Sequence, residues 1–134
     1  MAAYVKFYSF VEALAEKVHN LGSDTIKVAL TNSAPAQSNT VLANITEISY
    51  TNCSSRTVTI SASSQTTGTY SCVATDLTLT ASGGSVGPFQ YVVIYNDTAT
   101  NDELICYADR GSAVTLADGD TFLIDFGSSL FTLA

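Results

Sequence analysis

The spacing of apolar residues changes once along the chain, near Gly22. Before it, Phe7, Phe10, Val11, Leu14, Val18 and Leu21 recur at intervals of three and four, the spacing that lines one side of an α-helix. Ser9 and Glu12 stand at capping-box separation, and Gly22 offers a left-handed residue to close the last turn. The pattern predicts one amphipathic helix over 9–21. After Gly22 the interval shortens to two: Ile26, Val28 and Leu30 alternate with Lys27 and Ala29, as in a half-buried strand over 25–31 that Pro35 ends. Residues 38–48 fit a short helical turn through Val41, Leu42, Ile45 and Ile48, although their Thr and Asn residues suit turns and caps equally.

From Tyr50 onward every segment reads as strand. A short run over 56–61 and a stretch over 69–81, one longer strand or two with a bend near Asp76, precede the most apolar run, 89–95, whose continuity predicts burial on both faces. A polar turn over 96–102 joins it to 103–108 as a hairpin. Strands over 114–116, 121–126 and 130–133 follow, with Asp118-Gly119-Asp120 as a tight turn between the first two. Seven to nine short strands with regular turn signals predict a mainly-β fold. The expected architecture is an antiparallel β-sandwich or jelly-roll-like barrel with one N-terminal amphipathic helix, in a single domain over 1–134 with its sandwich over 25–134.

Composition sharpens this picture. Hydrophobic residues make up 46% of the 134, enough for a core, but only 13% are charged, against about 25% in an average soluble protein. Ser, Thr and Asn must therefore supply the surface polarity. Five basic residues against twelve acidic ones leave a net charge of −7. So few scattered cations cannot track a phosphate backbone or dock on an anionic membrane, which argues against nucleic acid and membrane as partners. No apolar run reaches the roughly 18 residues a spanning helix needs. The N-terminus lacks a signal-peptide pattern, so the Asn-x-Ser/Thr matches at Asn44, Asn52 and Asn96 are expected to carry no glycan. Cys53, Cys72 and Cys106 have no metal-binding spacing and sit in or beside strands, where free thiols act as small buried apolar groups.

Candidate chemistry is sparse. His19, the only histidine, falls near the end of the expected helix, where a dipole contact or plain exposure explains it. No serine stands in an activating context. Asp97, Asp102 and Glu103 flank one loop, and Asp118 and Asp120 another, without calcium-loop spacing. The glycine-rich stretch over 83–87 lacks the lysine and helix start of a phosphate loop. The chain has no tryptophan, the commonest sugar-stacking ring. No catalytic, cofactor-binding or metal-binding residue is assigned, and no enzyme is expected. Seven tyrosines and six phenylalanines are the positive feature, since aromatic rings are enriched at interface centres. Phe89, Tyr91, Phe122 and Phe126 are expected in the core. Tyr4, Phe7 and Tyr8 form an aromatic lead-in that either folds onto the body or touches a neighbouring subunit as a partner-binding surface, on a segment over 1–8 that folding can spare.

Several phrases together carry a resemblance: HNLGSD over 19–24, IKVALTN over 26–32, SGGSVGPFQYVVIY over 82–95 followed by Asn96-Asp97-Thr98, and LADGDTFLIDF over 116–126. In this order the chain resembles a group of small structural proteins of tailed bacteriophages, placed as head decoration (cement) proteins or as tail-associated proteins. It departs at YTNCSSR, 50–56, where a glycine-rich loop is expected. The resemblance implies a virion protein on the head surface, made in the host cytoplasm. Its partner would be the major capsid protein, which it would bridge and stabilise as a homodimer or homotrimer on the shell. A tail or fibre component is the alternative, and a carbohydrate-binding β-sandwich a third reading.

Overall fold

A computed structural model describes residues 3–134 of the chain. Among them, β1 (Val5–Lys6), β2 (Ile26–Thr31), β3 (Thr57–Thr66), β4 (Thr69–Thr75), β6 (Val86–Asn96), β7 (Leu104–Leu116) and β9 (Phe131–Leu133) form one antiparallel sheet. Its order is β1-β7-β6-β2-β3-β4-β9, and β5 (Leu77–Thr80) pairs with β8 (Thr121–Ile124) in a second, smaller sheet. The sheets curl into a half-barrel, with one helix, α1 (Ser9–Ala15), near the N-terminus. The mainly-β architecture with a single N-terminal helix is therefore as the periodicities predict.

The helix is shorter than its apolar stripe. It ends at Ala15, where Val18 N–H bonds to Ala13 O (2.9 Å) and Lys17 N–H to Leu14 O (3.4 Å). This is the paired closure of a Schellman turn, with Lys17 taking the left-handed position at φ 69°. Gly22 plays no such part, and Ser9 lies inside the helix rather than capping it. Leu21 is buried, but it reaches the core from the turn that follows α1. That placement reproduces helical spacing without a helix.

The central strands are buried on both faces. Ile26, Val28 and Leu30 of β2 join Val92 and Ile94 of β6 in the main core, together with Phe10, Leu79, Phe89, Ile124 and Phe126. On the opposite face, Ala29, Val93 and Tyr95 pack with Phe7, Ile45 and Leu104. Strand β6 thus has the two-sided burial its continuous apolar run predicts. Strand β2 was expected to be half-buried, yet Ala29 and Thr31 are also sealed. The cover comes from the ambiguous 38–48 segment, which forms a 3-10 turn over Leu42–Asn44 and drops Ile45 onto the sheet.

Strands β6 and β7 form the predicted hairpin, in which Val92 faces Ala108 and Ile94 faces Cys106. At its far end Gly87 (φ 117°) passes so close to β7 that a Cβ would lie 2.7 Å from Val114 O, so no larger residue fits. The expected strands over 103–108 and 114–116 are one continuous β7. The Asp118-Gly119-Asp120 turn forms, but it does not make a hairpin: β8 leaves β7 and pairs with β5, Leu79 facing Phe122. The bend at Asp76 divides β4 from β5, and the Asp76 carboxylate accepts Phe126 N–H (2.9 Å).

Strand β3 pairs with β2 only at Ile26 and Lys27, then diverges. The backbone groups of β2 exposed by the split are satisfied by the 48–56 segment. Val28 N–H bonds to Arg56 O (2.9 Å), Arg56 Nη1 donates to Val28 O (2.6 Å), Leu30 N–H donates to the Tyr50 hydroxyl (2.9 Å), and Ile48 N–H donates to Leu30 O (3.0 Å). The Tyr50 hydroxyl in turn donates to Glu47 Oε1 (2.7 Å), and the Arg56 guanidinium lies 3.6 Å over the Tyr50 ring. The stretch that departs from the phage resemblance is thus a seam closure, because unpaired backbone groups beside a core would be costly.

Candidate interaction surface

The large sheet has two free margins, and they differ. Lys6 O of β1 accepts the Gln37 side-chain amide (3.0 Å), and Tyr8 N–H, just beyond β1, donates to Gln37 O (3.0 Å). That margin is short, covered by a loop and marked by a lysine, the usual devices against strand addition. At the other margin, β9 pairs with β4 alone. Cys72 O accepts Leu130 N–H (2.7 Å) and so faces β9; Cys72 and Tyr70 pair with Phe131 and Leu133, so these two turn their backbone groups toward β4 and Thr132 aims its N–H and C=O outward. The strand reads Phe-Thr-Leu, without lysine or proline.

The aromatic lead-in is split between core and surface. Phe7 is fully buried, its ring centroid 5.1 Å from that of Tyr107, which removes it as a contact for a neighbour. Of the two expected placements Phe7 takes the first, folding onto the body, and the expectation that folding can spare residues 1–8 is corrected. Strand β1 pairs Val5 with Tyr107 and holds Phe7 in the second core cluster, so truncation would open that cluster. Tyr4 is half-buried, stacked on Phe126 at 6.0 Å; its hydroxyl is enclosed without a partner, and burial pushes its pKa up. Tyr8 alone faces solvent, at 62% exposure.

Other exposed apolar side chains lie on α1 and β9. Val11 on α1 is 51% exposed and Leu133 on β9 is 55% exposed. Between helix and strand runs a groove of about 490 Å³ lined by Leu14, Leu21, Tyr70 and Leu133, with Lys17 as its cation. Phe131 anchors the wall against Phe10 (5.2 Å) and Tyr70 (5.7 Å). In the sequence Val11 falls in the helix's apolar stripe, and residues 130–133 read only as a last strand. The signal available in the sequence was the uncharged Phe131-Thr132-Leu133 itself.

The other candidates are occupied structurally. Asp118 accepts Gly83 N–H (3.0 Å) and Asp120 accepts Ala117 N–H (3.0 Å), which is turn chemistry. Asp97 pairs with Lys27 at 3.3 Å. Among the described residues, no three His, Cys, Asp or Glu side chains converge as a metal cradle, and no helix is long and apolar enough to cross a membrane. All three cysteines are free; Cys72 and Cys106 are buried and Cys53 is half-buried, and burial raises each thiol's pKa and with it the barrier to thiolate chemistry. His19 corrects its expectation: it lies beyond the helix and is only 5% exposed, against Asn96 Nδ2 at 3.0 Å.

The phrases that carry the phage resemblance turn out to be contact partners. Asp24 and His19 of the first phrase meet Asn96, and Thr25 N–H donates to the Thr98 hydroxyl (2.8 Å). In the second pair, Gly83 N–H donates to the Asp118 carboxylate (3.0 Å). Comparison of the chain with protein-family models, curated proteins and solved structures finds no match.

Proposed function

We propose that this protein is a structural, non-enzymatic virion component: a decoration protein that binds the major capsid protein on the head of a tailed phage and bridges capsid subunits. The observation that carries the reading is the unguarded β9 margin with its exposed Leu133, beside a groove lined by Leu14, Leu21 and Tyr70, on a molecule whose opposite margin is covered. An edge of this kind takes up a strand from a neighbour, main-chain bonds supplying affinity and side-chain pockets specificity. The phrase-level resemblance supports the identity of that neighbour. A protein that binds the assembled shell and not its separated subunits shifts the equilibrium toward the shell by mass action. Repetition over a lattice strengthens modest single contacts, and association of this chain as a dimer or trimer would multiply them further.

The test is fractionation of dissociated virions, with the chain quantified against the major capsid protein. Recovery with heads in stoichiometric amount is the expected result. Recovery with tails at low copy number would replace decoration with a tail role, and absence from both fractions would overturn the virion reading.

A further inference from the structure

Polar groups from three segments meet beneath the turn that follows α1. Asn96, at the end of β6, is fully buried; its Oδ1 accepts the N–H groups of Thr98 (2.9 Å) and Ala99 (3.2 Å). Its Nδ2 donates to Asp24 Oδ2 (2.7 Å) and lies 3.0 Å from His19 Nδ1. Two backbone donors on one side and a carboxylate on the other fix which way the amide faces. The group presented to His19 is therefore an NH₂, and Nδ1 must be its acceptor. That holds the imidazole neutral with its proton on Nε2. Nε2 is buried without a partner, as is Oε2 of Glu103 at the start of the β7 hairpin arm.

We propose that His19 is a proton-operated latch, closed while Nδ1 accepts from Asn96 and released when Nδ1 binds a proton. An imidazolium would set an N–H against the Asn96 NH₂, two donors facing each other. Turning the amide would bring its oxygen against Asp24 and strand the N–H groups of Thr98 and Ala99. Either rearrangement uncouples the 17–24 turn from the 96–102 loop. The charged groups that face His19 are Asp24 from its own turn and Glu103 from the hairpin, with Lys17 on the groove rim. Helix α1 offers the Phe10 ring at 5.4 Å, and β3 and β4 offer Ser63 and Tyr70 across the groove. Burial lowers the imidazole's pKa below the usual 6.5, against the opposite pull of Glu103 and Asp24. A depressed folded-state value contributes stability that is complete above the ordinary pKa and is lost as pH falls through the folded one. Release therefore belongs on the acid side of about pH 6.5.

Amide exchange of Thr98 and Ala99, corrected for intrinsic rates, tests the latch in the intact chain. Protection should fall about tenfold per pH unit between the ordinary and the depressed histidine pKa, as expected for one linked proton. His19→Asn, whose side-chain oxygen can accept from Asn96 at any pH, should flatten that slope. An equal slope in His19→Asn would assign the effect to the carboxylates and overturn the proposal, as would constant protection in the wild-type chain. Imidazole nitrogen shifts in the wild-type protein decide the matter even if the variant fails to fold: the proton should sit on Nε2 at neutral pH, and an Nδ1–H form would overturn the latch.

Discussion

The two margins of the seven-stranded sheet end the same β-architecture in opposite ways. At β1, the chain turns immediately into α1, Phe7 plunges into the second core cluster, and Gln37 covers the outer backbone of Lys6 and Tyr8. At β9, Phe131 packs inward against Phe10 and Tyr70 while the outward backbone groups meet no strand. Both margins are anchored by an aromatic ring, so anchoring is not what separates them. The difference lies in coverage of backbone polar groups. An internal seam makes the same point: where β3 leaves β2, Tyr50 and Arg56 substitute side-chain and loop groups for the missing strand. Of these three places on the large sheet, two are closed and the β9 margin is left open.

The largest effect should come from removing the ring that anchors the closed margin. Phe7→Ala deletes a side chain with no solvent exposure that packs on Tyr107, and should destabilise the protein by about 3–5 kcal/mol in urea unfolding. Tyr8→Ala, one residue away and exposed, should change stability by less than about 0.5 kcal/mol. Similar losses for both would mean that Tyr8 is also part of the packing and that the margin is not divided as described.

The seam should respond less strongly. Tyr50→Phe keeps the ring under Arg56 but removes the oxygen that receives Leu30 N–H and the hydrogen given to Glu47. A backbone donor left without a partner beside the core should cost about 1–3 kcal/mol. Burial and the bond to Glu47 push this phenol's pKa up, so it stays protonated and the loss should be constant across neutral pH. A neutral outcome would show that water replaces the hydroxyl and that the seam needs no tyrosine.

How much of this was legible in the sequence depends on the range of the interaction. Alternation and turn residues act locally, so most strands, the bend at Asp76 and the β6–β7 hairpin emerge from the pattern, whereas β1 does not. Phe7 and Tyr8 defeated it because they straddle a change of period: one closes the two-residue β1 and the other precedes α1, so neither a helical stripe nor a strand alternation describes the pair. Leu21 mimicked helical spacing from a turn. The partnership of β8 with β5 instead of β7 depends on which strand lies across the core, which the Asp-Gly-Asp turn does not encode. The His19–Asn96 contact joins residues 77 apart, and polar residues in a loop-like phrase carry no sign of their partner. The scarcity of charge is legible in the sequence, but which edge is left open requires the strand order.

The smallest effect on stability should come from guarding the open margin. Leu133→Lys places a cation on β9, where the wild-type side chain is already 55% exposed, so unfolding free energy should move by no more than about 0.5 kcal/mol. Its effect should appear in association instead. A lysine on an edge resists strand addition because the incoming strand must bury or displace a solvated charge. If β9 is the docking edge, binding to purified shells should weaken by about tenfold or more, equivalent to about 1.4 kcal/mol. The same change made at the covered margin, Val5→Lys, should leave shell binding intact, since Gln37 already occupies the neighbouring backbone of Lys6. Equal weakening by both substitutions would assign the loss to net charge, and no weakening by either would move the docking surface off the sheet margins altogether.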